Sequence, residues 1–152
     1  MPTAKQSRVI AAPVEDVWAI VGDPHHLPRW WPRVERVEQA TAGAFTEVMR
    51  SDRGRVVRAD ERLVELREGS EIAWEQETEG TPFERLLRQS RTTVRVVAEG
   101  GGTRVELERL QKLRGLARFG GFMMKRATRR LLAEALEGLA AIAEPAPTSP
   151  AP

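Results

Sequence analysis

The feature that most constrains this chain is the long apolar stripe near its end. From about Leu116 to Ala143 the residues read as a helix, a run worth about 40 Å if continuous. At about 100° per residue, Met124, Thr128, Leu131, Leu132, Ala135, Leu139 and Ile142 share one face, while Arg126, Arg129, Arg130 and Glu137 lie mainly on the other. That stripe must bury itself. Leu116, Phe119 and Met123 fall off it, and Gly120-Gly121 lowers helix propensity by about 1 kcal/mol per glycine relative to alanine, so a bend or a separate segment is expected there.

What precedes the stripe is a series of strands. The reading places them at roughly 34–40, 44–50, 55–66, 70–77, 85–98 and 103–110, separated by turn signals such as Ser51-Asp52-Arg53-Gly54 and Gly100-Gly101-Gly102. Short connections imply antiparallel neighbours. Residues 5–10 add a seventh strand, which hands over at Ala11-Ala12-Pro13 to a short amphipathic helix carrying Val14, Val17, Trp18 and Val21. A second short helical turn is expected within His25-His26-Leu27-Pro28-Arg29-Trp30-Trp31-Pro32. One helix cannot cover seven strands laid flat, so the sheet must curl around it and leave space between. The expected fold class is α+β, a helix-grip fold in which a seven-stranded curved antiparallel sheet wraps a long C-terminal helix, with two short helices after the first strand.

Several functions are excluded by what the chain lacks. It has no cysteine, which removes disulfides, thiolate metal sites and cysteine nucleophiles and fits a reducing, cytoplasmic setting. No apolar run approaches the length of a membrane span. The two histidines, His25 and His26, are adjacent in a proline-bounded loop, so no metal site and no cofactor are expected; no phosphate loop or dinucleotide fingerprint is present either. With a formal net charge of +2 and acids interleaved among the bases, nucleic acid is not an expected partner. The densest cationic group, Lys125, Arg126, Arg129 and Arg130, reads as a solvated helix face or as a weak site for an anionic partner.

The segment Val9-Ile10-Ala11-Ala12-Pro13-Val14-Glu15-Asp16-Val17-Trp18, followed by Asp23-Pro24 and Leu27-Pro28-Arg29-Trp30-Trp31-Pro32-Arg33-Val34, resembles the opening signature of the SRPBCC (START-like) superfamily. The nearest branch is the polyketide cyclase/dehydrase and lipid-transport group, and the likeness runs over residues 5–143. It implies one START-like helix-grip domain over 1–144; residues 145–152, with almost no apolar side chain to bury, read as a disordered Pro/Ala-rich tail. It also implies a small hydrophobic ligand, lipid-like or polyketide-like, held between the sheet and the last helix.

Strand alternation then nominates the lining. Ile72, Trp74 and Gln76 share one face, and Arg88, Ser90, Thr92, Val94 and Val96 share another, each grading from apolar to polar. Arg88 is the candidate catalytic or anion-pairing group, for a ligand carboxylate or enolate, or for Glu61 or Gln76 across the sheet. Trp30, Leu131 and Ala135 complete the expected wall, and Phe119, Met123 and Met124 belong to a segment, 113–124, that reads as a mobile flap or as ordinary packing at a helix start. Three functions stay open: a binding module for a hydrophobic or aromatic molecule, a cofactor-independent cyclase or dehydratase, and a protein-interaction domain working through the arginine-rich helix face.

Overall fold

The computed structural model describes residues 3–115 and 120–145. In chain order the elements are β1 (Thr3–Ile10), α1 (Val14–Val21), a 3-10 turn at Pro24–His26, α2 (Leu27–Trp30), β2 (Val34–Glu38), β3 (Ala44–Arg50), β4 (Val56–Arg67), β5 (Glu71–Gln76), β6 (Leu87–Glu99), β7 (Gly102–Leu113) and α3 (Gly121–Ala143). A second 3-10 turn, Pro82–Arg85, joins β5 to β6.

The seven strands form one antiparallel sheet in the order β1-β7-β6-β5-β4-β3-β2. Strands β2 to β7 follow one another as a meander, and the first strand closes the series by pairing with the last, from Thr3 opposite Leu110 to Ile10 opposite Thr103. Register shifts between Val34 and Arg36, Leu63 and Glu65, and Leu87 and Gln89 mark irregularities of the kind that bend a strand and sharpen its twist. The sheet therefore curls, and α3 lies against it, packing on β1, β7 and α2.

The core between them is apolar and closely buried. Ile72, Trp74, Val94, Val105 and Leu107 from the sheet meet Leu132, Ala135, Leu136 and Leu139 from α3, all nearly inaccessible to water. Burying each large apolar side chain is worth about 1.5–3 kcal/mol, so this contact, rather than helix propensity, holds α3 in place. Thr128 Oγ1 donates to Gln111 Oε1 at 3.0 Å across the same interface, and Glu144 Oε2 accepts from the Ala11 amide at 2.8 Å just beyond the far end of α3. One close approach depends on a glycine: a Cβ on Gly138 would stand 2.5 Å from the Trp30 carbonyl oxygen, so only glycine lets α2 and α3 touch backbone to side.

Gly120 and Gly121 stand at the start of α3 rather than at a bend within it. The expected earlier start at Leu116, residue Phe119 and most of the Pro/Ala-rich tail lie outside the described residues. β7 continues past the expected 110 to Leu113, which carries its inward face one further turn of alternation toward α3. Among the described residues no helix is long and apolar enough to cross a membrane.

Candidate functional site

Five neighbouring strands each contribute a polar side chain to the concave face of the sheet: Glu47 from β3, Glu61 from β4, Gln76 from β5, Thr92 from β6 and Arg109 from β7. The register brings them together. Glu61 stands opposite Gln76, and Thr92 opposite Arg109, and directly opposed residues project from the same side of a sheet. Each sits in phase with apolar inward residues of its own strand, Glu47 between Phe45 and Met49, Arg109 after Val105 and Leu107. Folding therefore carries charge into the grip because the strand's alternation leaves it no other side.

Four of these groups, Glu47, Glu61, Gln76 and Arg109, border a cavity of about 250 Å³ whose lining also includes Trp31, Met49, Val57 and Leu131. Arg33, Arg109 and Leu131 also line an adjoining cleft of about 460 Å³, which reaches Met124, Ala127, Thr128, Arg130 and Glu134 on α3. The mouth is polar. Arg33 Nη2 bridges to Asp52 at 2.6 Å there, and Arg33 itself holds a left-handed backbone, φ 67°, a conformation that costs a non-glycine residue on the order of 1 kcal/mol or more.

Aromatic rings form the apolar side of the wall. Trp30 packs edge-on against Trp31 (5.2 Å between centroids), Trp31 against Trp74 (6.2 Å), and Phe45 against Trp74 (5.9 Å). Arg109 ties this wall to the polar row, its Nε donating to Thr92 Oγ1 at 3.0 Å and its guanidinium carbon lying 5.2 Å from the Trp31 ring.

The electrostatics are unusual for a solvated sheet. Glu47 is 2% exposed and Glu61 5% exposed. Burial pushes the Glu47 carboxyl up to about 7, with Arg109 opposing the shift. Glu61 is raised well above the ordinary carboxylate range, first by burial and then by the negative charge of Glu47, again against Arg109. Two buried carboxyls thus share one guanidinium, and near neutral pH the pair retains a proton. Glu47 Oε1 and Gln76 Nε2, both in the cavity wall, make no hydrogen bond within the described protein, and neither does the buried Trp74 Nε1. The wall offers a carboxylic O–H and amide and guanidinium N–H groups as donors, and a carboxylate as acceptor.

The sequence profile described as polyketide cyclase / dehydrase and lipid transport matches residues 1–144. The chain belongs to this family. No curated protein matches it in sequence. Among solved structures it resembles a START superfamily protein from Mycobacterium smegmatis, with 14% identity, a TM-score of 0.76 and 93% of this chain covering 96% of that one. A protein from Thermus thermophilus is 25% identical with a TM-score of 0.72, over 92% of this chain and 95% of that one. The di-domain ARO/CYC StfQ from the steffimycin biosynthetic pathway is 17% identical with a TM-score of 0.71; 93% of this chain covers 50% of it. The START-like helix-grip fold, implied by the opening signature, is thereby shown.

Within that fold the residues nominated from sequence divide into distinct groups. Gln76 and Leu131 line the cavity and Met124 lines the adjoining cleft. Ile72, Trp74, Ser90, Thr92, Ala135 and Trp30 are buried around it, with Trp31, rather than Trp30, facing the cavity itself. Phe119 lies outside the described residues. Two expectations are corrected. Met123 is 76% exposed because it leaves the buried stripe of α3, and Arg88 is exposed because the register shift between Leu87 and Gln89 breaks the alternation that would have aligned it with Ser90. Leu87, not Arg88, takes the inward position. Glu47 and Arg109 are what the strand-by-strand reading missed, along with any burial of Glu61; a charged residue in phase with apolar inward neighbours on each of β3, β4 and β7 was the signal.

Proposed function

We propose that this family member binds a small hydrophobic or aromatic molecule, lipid-like or polyketide-like, in the cavity between sheet and α3. The observation that carries this reading is the pair of unpartnered atoms, Glu47 Oε1 and Gln76 Nε2, in the wall of a 250 Å³ space whose apolar lining includes Trp31, Met49, Val57 and Leu131. A buried polar group left without a partner costs about 1–3 kcal/mol, which a ligand carrying both a hydroxyl and a carbonyl would recover while its apolar body covers the rings. Arg109 and Gln76 suit the carbonyl, and the carboxyl pair suits the hydroxyl. The absence of cysteine agrees with a cytoplasmic setting, and the family profile agrees with a single domain over residues 1–144.

A second reading is favoured by one feature, the retained proton on a carboxyl pair beside a guanidinium. On a ligand with a 1,3-dicarbonyl unit and a second ketone within reach, a carboxylate would take the intervening C–H proton and Arg109 would stabilise the enolate oxygen. The enolate carbon would form a bond to the second carbonyl carbon, and the protonated carboxyl would give its proton to the resulting alkoxide; removal of the remaining C–H proton at that carbon would then expel the new hydroxyl, protonated by the carboxylic partner, as water. That is cofactor-independent cyclase or dehydratase chemistry, the class named by the family description.

Native mass spectrometry of the freshly purified chain tests the first reading. The expected result is an adduct of a few hundred daltons that is lost in Arg109→Met and in Glu47→Gln while both variants keep the wild-type circular dichroism. A folded wild-type chain that carries no adduct and shows no binding of hydroxylated aromatic ketones by tryptophan quenching would sink it. The second reading requires, in addition, that a bound 1,3-diketone be turned over and that Glu47→Gln or Glu61→Gln stop turnover.

A further inference from the structure

The first half of α3 presents a surface that the cavity does not use. Residues 121–133 contain Lys125, Arg126, Arg129 and Arg130 and no acid. Counting along the helix, Phe122, Arg126, Arg129, Arg130 and Ala133 recur at i, i+4, i+7, i+8 and i+11, so they form one stripe, turned away from the buried stripe of Thr128, Leu132, Ala135, Leu136 and Leu139. Phe122 and Met123 are 78% and 76% exposed, the most exposed large apolar side chains described. Arg126, Arg129 and Arg130 are exposed with them, and Lys125 is half-buried.

Arg33, Arg50, Arg62, Arg95 and Arg104 each hold a carboxylate. Among the described residues the cations of this face hold none, although the chain has almost as many acids as bases; the same is true of Arg8, Arg85 and Arg88 elsewhere on the surface, but here four of them gather on one helix. An unpaired positive stripe beside exposed aromatic and thioether side chains matches the two layers of an anionic bilayer surface, phosphates outside and acyl chains within. A lipid surface offers both at once, at the depth difference between an arginine head and a phenylalanine ring.

We propose that the N-terminal half of α3 docks on an anionic lipid surface, with Phe122 and Met123 entering the headgroup boundary and Lys125, Arg126, Arg129 and Arg130 on lipid phosphates. The position has a use. Met124, Ala127, Arg130 and Leu131 on the same turns border the cleft that adjoins the cavity, so a docked helix would hold the cleft's rim at the membrane, where apolar ligands reside. That use rests on the binding role proposed above; the docking itself rests only on the helix face.

The test is co-sedimentation of the full chain with vesicles of phosphatidylcholine alone or with about one-third phosphatidylglycerol, at low and at high salt. The expected result is binding to the mixed vesicles only, weakened by salt, reduced roughly tenfold or more in Arg126→Gln/Arg129→Gln and several-fold in Phe122→Ser/Met123→Ser. The substituted side chains are exposed, so circular dichroism should not change. Arg58→Gln/Arg62→Gln, which removes the same charge elsewhere on the surface, should bind as wild type. Equal partition onto both vesicle types, equal loss in the Arg58/Arg62 control, or retention of binding in Arg126→Gln/Arg129→Gln would overturn the proposal. So would a duplex nucleic acid that displaces the vesicles and binds Phe122→Ser/Met123→Ser as well as wild type. An adduct seen by mass spectrometry with no vesicle binding would sink the docking and leave the cavity reading standing.

Discussion

The guanidinium carbon of Arg109 lies 5.2 Å from the centroid of the Trp31 ring, which joins β7 to the corner that follows α2. The same guanidinium donates to Thr92 and is the cation that opposes the upward shifts of Glu47 and Glu61. One side chain thus fixes the aromatic wall and balances the carboxyls. Arg109→Met should weaken binding of any copurifying ligand about tenfold or more, since a charge-assisted hydrogen bond in a buried wall is worth about 1.5–3 kcal/mol. Arg88→Met, on an exposed side chain, should leave the affinity within about twofold, because the group makes no contact with the cavity. Titration calorimetry or tryptophan quenching reads both; equal loss in the two variants would show that Arg109 has no special place.

How far this could be seen in advance differs between fold and site, and the reason is periodicity. Val94, Leu107, Leu132 and Leu139 are repeated signals, each reinforced by neighbours at the period of its element, so the grip emerges from pattern alone. The site is built from the exceptions to that pattern. Glu47 and Arg109 look like ordinary surface charges until the phase of Phe45 and Met49, or of Val105 and Leu107, is carried through them. Arg88 shows the opposite failure: its phase with Ser90 and Thr92 is correct on paper, but one irregularity at Leu87 resets it, and no local residue type announces that shift.

Gly138 gives a test of the contact between α2 and α3. Alanine there would gain about 1 kcal/mol in helix propensity, yet its Cβ would meet the Trp30 carbonyl oxygen at 2.5 Å and the Trp30 Cα at 3.3 Å. Backbone cannot step aside as a flexible side chain can, so the clash wins and Gly138→Ala should be destabilised by about 2 kcal/mol, lowering Tm by roughly 4–8 °C. A Tm equal to or above wild type by differential scanning calorimetry would show that α2 is free to move away.

The cavity itself is addressed by filling it. Met49 is half-buried and lines the 250 Å³ space, so Met49→Trp would place a larger rigid ring where ligand is proposed to lie. The expected outcome is loss of the copurifying adduct with Tm within a few degrees of wild type, since the ring occupies open volume instead of forcing packed neighbours apart. An unchanged adduct at full occupancy would place the ligand elsewhere.

Stability should fall between acid and neutral pH, against the usual trend for paired surface carboxylates. Glu47 is raised from 4.5 to about 7 by burial, so the folded protein holds a proton there that the unfolded chain releases at lower pH. That stabilisation is fully present below about pH 4.5 and is lost as pH rises through about 7, at a cost on the order of a few kcal/mol for an isolated group; Glu61, shifted in the same direction, extends the effect upward. Glu108 works the other way. Its partial burial is outweighed by hydrogen bonds from Arg95 and Lys5, its carboxyl sits below the ordinary value, and its contribution disappears only as pH falls below the carboxylate range. The two windows are separate, so Tm should peak near pH 5 and decline toward pH 8. Glu47→Gln, which keeps the shape and removes the ionisation, should flatten the decline and melt higher than wild type at pH 8, with the difference shrinking toward pH 5. A wild-type Tm that stays level from pH 5 to 8, in parallel with Glu47→Gln, would mean that Glu47 ionises as freely in the fold as in the unfolded chain.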